Sequence, residues 1–317
     1  MIAVITDSCA SIPPDLAQSL RIEVVPYYLH RGNEALRDLV DITGEEFFQW
    51  LPTADTLPTT ANPGPGDYLN AFNRAAEWAD GIVSIHMTSK GSGAYQSARV
   101  AQEMAITQLP GVTIAVLDTL QVSMVHGWAA IEAGRAAQTG ASQEQVIAAA
   151  RHVADTGWMI QTADTLKYLY MGGRIGRAQH LVGSLLNVKP IIGMEEGIII
   201  ALGQARTRNK AYAKILELMH ERNPAGSPIK IAVTHVAAPQ QAKLLLDMVQ
   251  QAFDCQETLI SELSPVLGVH TGPGLVGVNF FPVPSAQYLP EEVPSRSIPS
   301  AQLAATPADP TIKDARA

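Results

Sequence analysis

Close to its start the chain reads Ile2-Ala-Val-Ile-Thr-Asp-Ser8, a short apolar run that passes directly into hydroxyl and carboxylate side chains. Such a run, bounded at once by polar residues, is typical of a buried strand in a parallel sheet. Similar short runs, which we interpret as strands, recur at 23–27, 82–86, 112–117, 157–161, 198–202, 229–233 and 275–281.

Segments with helical periodicity lie between these predicted strands. They are found at 44–50, 67–79, 93–107, 122–139, 143–154, 210–221 and 240–253. Alternation of strands and helices predicts an α/β fold, with helices that cover mostly parallel or mixed sheets.

The pattern changes near residue 155, and we place a domain boundary there. A glycine-rich stretch, 171–176, follows, and then a hairpin-like region at 194–201 with Glu195-Glu196-Gly197 as its predicted turn. We therefore expect two α/β domains, an N-terminal domain at 1–155 and a C-terminal domain at 156–281.

The last segment, 282–317, has a different composition. It holds seven of the 21 prolines of the chain and shows little periodicity. Proline removes a backbone donor and restricts the residue before it, so this segment is predicted to be an extended or disordered tail.

Composition and charge exclude several classes of protein. The 317 residues carry a formal charge of −8, which disfavours binding to the phosphate backbone of nucleic acids. The longest apolar runs are well short of the roughly 18–20 residues of a membrane span. We see no secretory signal, and the two cysteines, Cys9 and Cys255, lie far apart, so we expect a cytoplasmic protein without a metal or other cofactor.

The common catalytic motifs are missing or stand in the wrong context. Gly272, Gly274 and Gly277 match G-x-G-x-x-G, but a predicted strand follows them where a nucleotide-binding loop would open a helix. The residues around Ser92 lack the spacing of a nucleophile elbow, and the eight histidines form no zinc-binding pair.

Three loops rich in hydroxyl groups and glycine remain as candidates for a binding site. They lie at 6–8, 58–67 and 88–97, and the first and third directly follow predicted strands. Ligands of open α/β sheets bind at the carboxyl ends of strands, where such loops meet. A Ser92-Gly93 entry to a helix also presents free N–H groups and the positive end of the helix dipole, which suit an anion.

Each candidate also has a purely structural interpretation. Ser92 is a suitable helix cap, Thr59-Thr60 suits a turn, and Asp7 is more simply explained as a cap or a brace between loops. The basic cluster at 206–210 is compatible with a solvated helix start, and His270 with a structural loop histidine.

Taken together, the segments resemble a known family. The matching stretches, in chain order, are Thr6-Asp7-Ser8, Pro58-Thr-Thr-Ala-Asn-Pro63, Lys90-Gly-Ser-Gly-Ala-Tyr-Gln-Ser-Ala98, Asp118-Thr119 with Ser123, Gly172-Gly-Arg-Ile175, Leu186-Asn-Val-Lys-Pro-Ile191, Arg206-Thr-Arg208 and Val269-His-Thr-Gly-Pro-Gly274. The chain resembles the DegV family of fatty-acid-binding proteins, also called FakB, from residue 1 to about 281.

The resemblance implies a carrier and not an enzyme. In this family one long-chain fatty acid, here expected to be C14–C18, places its carboxylate at the domain junction and its acyl chain in an apolar tunnel. The protein presents the acid to a separate dihydroxyacetone-kinase-like fatty acid kinase, which forms an acyl phosphate for phospholipid synthesis.

The resemblance also implies which residues bind the ligand. The carboxylate contacts correspond to Thr60 and Ser92, with Gly93, Arg206 and His270 nearby. We name four tunnel candidates, each of which is equally suited to an ordinary core: Val182, Leu185, Leu186 and Ile191.

The second loop departs from the family pattern. The family usually has Thr-Ser-Gln-Pro-Ser, whereas this chain has Ala61 and Gly64 at the second and fifth of these positions. Each change removes a hydroxyl, which affects the expectations for chain-length preference and kinase partnership more than that for fatty-acid binding.

Two other functions stay open at this point. One is a hydrolase or phosphotransferase with Ser92 as nucleophile and His270 as base, although no third group that would orient the histidine is identifiable. The other is a lipid-responsive regulatory module that acts on another protein.

Overall fold

The computed structural model describes residues 1–54, 56–184 and 188–283, without the side chains of 182–184. The predicted tail, apart from its first two residues, lies outside the described residues, as do Leu185 and Leu186. The described chain up to Val283 forms one compact unit.

The strands and helices of this unit alternate over most of its length. The strands are β1 (Ile2–Asp7), β2 (Ile22–Val25), β3 (Tyr28–Arg31), β4 (Glu34–Arg37), β5 (Thr59–Ala61), β6 (Gly81–His86), β7 (Thr113–Asp118), β8 (Trp158–Thr162), β9 (Lys189–Glu195), β10 (Ile198–Ala205), β11 (Ile229–His235), β12 (Cys255–Glu262) and β13 (Val276–Pro282). The helices are α1 (Pro14–Ser19), α2 (Gly44–Trp50), α3 (Pro65–Ala76), α4 (Ala94–Gln108), α5 (Ser123–Gln138), α6 (Gln143–Thr156), α7 (Lys167–Met171), α8 (Arg208–Arg222), α9 (Pro239–Ala252) and α10 (Pro265–Thr271).

The first sheet is parallel, with the strand order β2-β1-β6-β7. β1 pairs with both β2 and β6, so that Val4 lies between Ile22 and Val83. β1 and β6 are buried almost throughout, because helices cover both faces of a parallel sheet. The loops that follow β1, β6 and β7 therefore meet at one edge of this sheet.

The second sheet is mixed, with the order β10-β9-β8-β13-β11-β12. β11 and β12 are parallel, and the other neighbouring pairs are antiparallel. Helices α8 and α9 pack against one face of this sheet, and α5 packs against the other. The prediction of an α/β fold with parallel and mixed sheets is thus confirmed.

A third, small sheet has the order β4-β3-β5 and was not predicted. Its strands are three or four residues long, and β4 is mostly exposed and charged. Such short strands have no alternation long enough to detect, and they form because β3 pairs with a segment some 30 residues further on. This pairing is what places Thr60 beside Leu29.

The predicted hairpin turn is confirmed. Glu195 pairs with Ile198, and the two residues between them, Glu196 and Gly197, have φ values of 49° and 77°. Two successive residues with positive φ match the twist of an antiparallel pair. The β9–β10 hairpin reaches the loop after β6, where the Thr88 hydroxyl donates a hydrogen bond to the Gly197 carbonyl at 2.9 Å.

The two large sheets come from the two parts of the chain that the sequence separates near residue 155. Contacts join them tightly: the Trp128 indole N–H donates to the Asn279 carbonyl at 3.2 Å, and Arg135 forms a bidentate pair with Glu257. The division at 155 stays a prediction.

Candidate functional site

A cavity of about 240 Å³ is lined by strands of the second and third sheets and by the loops that follow β1, β2, β6 and β7 of the first sheet. One water needs roughly 10–15 Å³ by the same measure, so the cavity accommodates a ligand much larger than a few waters. Its wall includes the strand β5, the loop that opens α4, the helix α10 and the hairpin β9–β10.

Four of the five residues predicted to bind a carboxylate line this cavity together. They are Thr60, Ser92, Gly93 and His270, from positions as far apart as 210 residues in the sequence. Thr60 lies on β5, Ser92 and Gly93 precede α4, and His270 lies in the last turn of α10. The pairing of β5 with β3 and the packing of α10 against both bring these groups together.

Ser92 is held by two neighbours. Its Oγ accepts a hydrogen bond from the Ala94 N–H at 3.2 Å and lies 2.7 Å from the Tyr27 hydroxyl. Burial, and then the charge of Asp7, raise the pKa of Tyr27 well above its usual range, so Tyr27 stays protonated and able to donate. When Tyr27 donates, both lone pairs of Ser92 Oγ are in use, and its own proton is free to point into the cavity.

Thr60 has a similar neighbour in His270. Thr60 Oγ1 lies 2.9 Å from Nε2 of His270, whereas Nδ1 of the same ring is buried and has no partner among the described residues. Burial, and then the charge of Arg174, lower the pKa of His270 to about 4. The ring is therefore neutral at pH 7, and a proton on Nε2 makes it a donor to Thr60.

Glycine is required where α10 meets the glycine-rich stretch. A Cβ atom on Gly172 would overlap Nδ1 of His270. Gly93 is also closely packed, because a Cβ there would lie 2.9 Å from Oδ1 of Asn62. The glycines bring backbone close to the polar end of the cavity, and the Gly93 N–H has no acceptor among the described residues.

The charges that line the cavity are positive. Lys90 and Arg174 are lining residues, and none of the described lining residues is Asp or Glu. Arg174 is anchored by a hydrogen bond of 2.6 Å from its guanidinium to the Gly172 carbonyl. Both cations, as well as Gly93, are exposed, so the polar end is the end that opens to solvent.

Most of the remaining wall is apolar. It includes several flexible or branched side chains, among them Met87, Met159, Met194, Ile192, Leu263 and Val266. Unbranched methionine side chains adapt to irregular gaps, which suits a wall that packs against a flexible chain. The cavity is thus amphipathic, with a cationic and hydroxyl-rich mouth and an apolar interior.

The other predicted site residues lie elsewhere. Arg206 is exposed in the turn before α8 and does not line the cavity; Arg174, from the glycine-rich stretch, is the arginine there. Ile191 is buried against α8 on the opposite face of the second sheet. Of the remaining tunnel candidates, Val182 lies in the 3₁₀ segment Gly176–Ser184 with its side chain outside the described part, and Leu185 and Leu186 lie outside it altogether.

The alternation of side chains on β9 explains the position of Ile191. Ile192 pairs with Gln161, and both line the cavity, whereas Ile191 pairs with Thr162 on the other face. Sequence alone shows two adjacent isoleucines and does not show which of them faces the cavity.

Tyr27 is a site residue that the sequence analysis missed. It follows β2 and is buried, and its backbone N–H donates to Ser8 Oγ at 3.1 Å. No sequence pattern marks a tyrosine at this position as a partner of a serine 65 residues away.

Asp7 belongs to a buried network and does not line the cavity. Its carboxylate accepts from the Cys9 N–H at 3.1 Å and lies 3.3 Å from Nδ1 of His86, whose Nε2 lies 2.7 Å from Ser84 Oγ. Although this is a serine, histidine and aspartate row, all three side chains are fully buried. The network braces the loop after β1, as the structural interpretation of Asp7 predicted.

The described residues hold neither a metal-binding cluster nor a membrane-spanning helix. No three His, Cys, Asp or Glu side chains in the described ranges are grouped so that they could hold a metal ion. No helix of the described chain is long and apolar enough to cross a membrane.

Fold and cavity together define the class: an α/β protein with an amphipathic cavity whose described charged lining groups are cationic. The family model described as "Uncharacterised protein, DegV family" matches residues 1–283. A DegV domain-containing protein of Streptomyces coelicolor is 37% identical over 279 residues, which cover 87% of this chain and 97% of the relative. The chain therefore belongs to the DegV family.

Solved structures support this assignment. A DegV family protein of Thermus thermophilus, described by its fatty acid binding, matches with a TM-score of 0.83 and 32% identity over 89% of this chain and 99% of that one. DegV of Bacillus subtilis, described as a fatty acid binding protein, has a TM-score of 0.79 and 28% identity over 89% and 99%. A stearic acid-binding protein of Eubacterium ventriosum has a TM-score of 0.82 and 25% identity over 89% and 98%.

Proposed function

We propose that this protein binds one long-chain fatty acid in the cavity and presents it to a separate fatty acid kinase. The observation that carries the proposal is the amphipathic cavity, whose described lining residues combine two cations with hydroxyl groups at the mouth and apolar side chains within. Fatty acid binding by the Thermus and Bacillus relatives supports it.

The carboxylate of the acid accepts hydrogen bonds from Thr60 and Ser92 and from the Gly93 N–H. A carboxylate only accepts, and each of these groups is able to donate. Donors to an ionised acceptor contribute roughly 1.5–3 kcal/mol each, so two or three of them fix the position of the head group. Neutral His270 and protonated Tyr27 act one step back, by donating to Thr60 and Ser92.

The acyl chain supplies most of the affinity. At about 0.8 kcal/mol per buried CH₂, a C16 chain gains on the order of 10 kcal/mol before the cost of ordering it. We therefore expect slow release, with a C14–C18 acid retained through purification. Ile192, Met159 and Met194 take the tunnel role in place of Ile191.

The mouth of the cavity supports presentation to a kinase. Lys90 and Arg174 are exposed beside the carboxylate position, where they can compensate the charge of nucleotide phosphates. A dihydroxyacetone-kinase-like partner would join a carboxylate oxygen to the γ-phosphorus of ATP and release ADP, leaving an acyl phosphate in the cavity. The product would then enter phospholipid synthesis.

The protein acts here as a carrier and not as a catalyst. The Ser92 hydrolase would need His270 as its base, but Nε2 of His270 lies beside Thr60, and Ser92 is bonded to Tyr27 and the Ala94 N–H. Addition of the kinase and ATP distinguishes the carrier from the lipid-responsive regulatory module. If the protein binds the acid but no acyl phosphate forms, the regulatory module is favoured.

The test of the proposed function is retention of lipid by the purified protein. Native mass spectrometry and lipid extraction should find one C14–C18 acid per chain. Replacing both Thr60 and Ser92 by alanine should lower the affinity for oleate at least tenfold, because two donors to the carboxylate are lost.

A matched control replaces hydroxyl groups far from the cavity. Ser19 and Thr139 are exposed, and their hydroxyl groups donate to the backbone carbonyls of Leu16 and Ala136. The Ser19→Ala, Thr139→Ala protein should therefore bind oleate like the wild type. Wild-type protein that is free of lipid and does not retain added oleate would refute the proposal.

A further inference from the structure

Ser123 is the one residue of the Asp118-Thr119…Ser123 motif that lines the cavity. Asp118 accepts from the N–H groups of Ser89 and Leu120, and the Thr119 hydroxyl donates to the His86 carbonyl at 2.8 Å. Ser123 is 1% exposed, and its hydroxyl has no hydrogen-bond partner among the described residues.

A second polar side chain, Gln161, stands in the same wall. It is 2% exposed, and its amide nitrogen lies 3.4 Å from Thr234 Oγ1, at the outer limit of a hydrogen bond. The neighbouring side chains on this face of the second sheet, Met159 and Ile192, are apolar. One buried amide and one buried hydroxyl therefore interrupt the apolar wall, although a plain hydrocarbon chain would need neither.

These groups are separate from the carboxylate site. Thr60 contacts His270 and Ser92 contacts Tyr27, and no hydrogen bond links either of them to Ser123 or Gln161. Ser123 also has a φ of 59°, a left-handed backbone that few residues other than glycine adopt. A buried hydroxyl without a partner is unfavourable, and native proteins normally satisfy such a group with a protein atom, a water or a ligand.

We infer that Ser123 and Gln161 form a second polar subsite of the cavity, which binds an oxygen atom carried on the ligand chain. The ligand class is a long-chain fatty acid with one hydroxyl or keto group. The inference rests on the proposed function, because it assumes that an acyl chain occupies the cavity. Ser123 can donate to or accept from such an oxygen, and the Gln161 amide can do the same.

The test compares a series of monohydroxystearic acids, with the hydroxyl at different carbons, against stearic acid on delipidated protein. One isomer should bind roughly 3- to 10-fold more tightly than stearic acid, since a single satisfied hydrogen bond has that effect. Isomers with the hydroxyl elsewhere should bind more weakly than stearic acid, because they bury it against apolar side chains.

Two variants separate the subsite from the head-group site. Ser123→Ala should abolish the preference for the favoured isomer and leave stearic acid bound. Thr60→Ala should weaken both acids by the same factor and leave the preference unchanged.

The outcomes distinguish the two proposals. If the wild type binds stearic acid but prefers no isomer, Ser123 is satisfied by water only, and the inference is wrong while the proposed function stands. A preference that persists in Ser123→Ala also overturns the subsite. If no fatty acid binds, both proposals fail.

Discussion

At the residue scale, the site depends on which hydroxyl groups are free to donate. Ser92 and Thr60 are each contacted by a second side chain, Tyr27 and His270, that can donate to them. A hydroxyl that already accepts has its proton available for a carboxylate. Sequence analysis found Ser92, Thr60 and His270 from their motifs, but it missed Tyr27 because the contact is made by folding alone.

Tyr27→Phe should lower the affinity for a fatty acid about 3- to 10-fold, the effect of losing one hydrogen bond that orients Ser92. The affinity for the matching fatty alcohol, which lacks a carboxylate, should stay near that of the wild type. Displacement of a fluorescent fatty acid measures both. Tyr28→Phe is the matched control, since the Tyr28 hydroxyl donates to Asp67 and does not line the cavity. Equal losses for acid and alcohol would show that Tyr27 only packs.

At the scale of elements, the alternation of side chains along β9 decides which residues face the cavity. Gln161 pairs with Ile192 and Thr162 with Ile191, so the two isoleucines face opposite sides of the second sheet. One side is the cavity, and the other is the core under α8.

The short elements β5 and α10 were not predicted. They are too short to show a clear periodicity, and contacts with distant parts of the chain stabilise them.

The two isoleucines should respond differently to substitution. Ile191→Ala should lower the free energy of unfolding by about 2–5 kcal/mol, as for a buried core side chain, and leave fatty-acid affinity nearly unchanged. Ile192→Trp should fill part of the cavity and lower the affinity for stearic acid at least tenfold. Chemical denaturation and ligand displacement, made on both variants, check this assignment. Strong loss of binding in Ile191→Ala with no loss of stability would contradict it.

At the scale of the whole molecule, packing of α10 against both parts of the chain buries titratable groups. Burial, and then the charge of Arg174, lower the pKa of His270 to about 4, whereas burial raises that of Asp38 to about 6. Asp38 bonds to the Ser8 hydroxyl and to the Val266 N–H at the start of α10. The lowered pKa of His270 makes the free energy of unfolding rise with pH, whereas the raised pKa of Asp38 makes it fall with pH.

Removal of His270 should change how stability depends on pH. In the unfolded chain His270 binds a proton below about pH 6.5, and in the folded protein only below about pH 4. Titration of His270 therefore leaves the free energy of unfolding unchanged above pH 6.5. As the pH falls towards 4, it lowers the free energy of unfolding by up to about 3 kcal/mol.

The measurement is the difference in free energy of unfolding between delipidated wild type and His270→Asn. The difference should move in favour of the wild type as the pH rises from 4 to 6.5. The opposite contribution of Asp38 is common to both proteins and cancels. A difference that does not change over this interval would contradict burial of a neutral His270.

The sequence alone determined the alternation of strands and helices and the Glu196-Gly197 turn, because local periodicity and turn chemistry are written in consecutive residues. Its motifs also singled out Thr60, Ser92 and His270. Only the tertiary structure decided that Arg174 and not Arg206 lines the cavity, that Ile192 and not Ile191 does so, and that Tyr27 contacts Ser92. These outcomes depend on strand register and on the packing of segments distant in the chain. Register and packing are set by the summed burial of many side chains, which no single motif records.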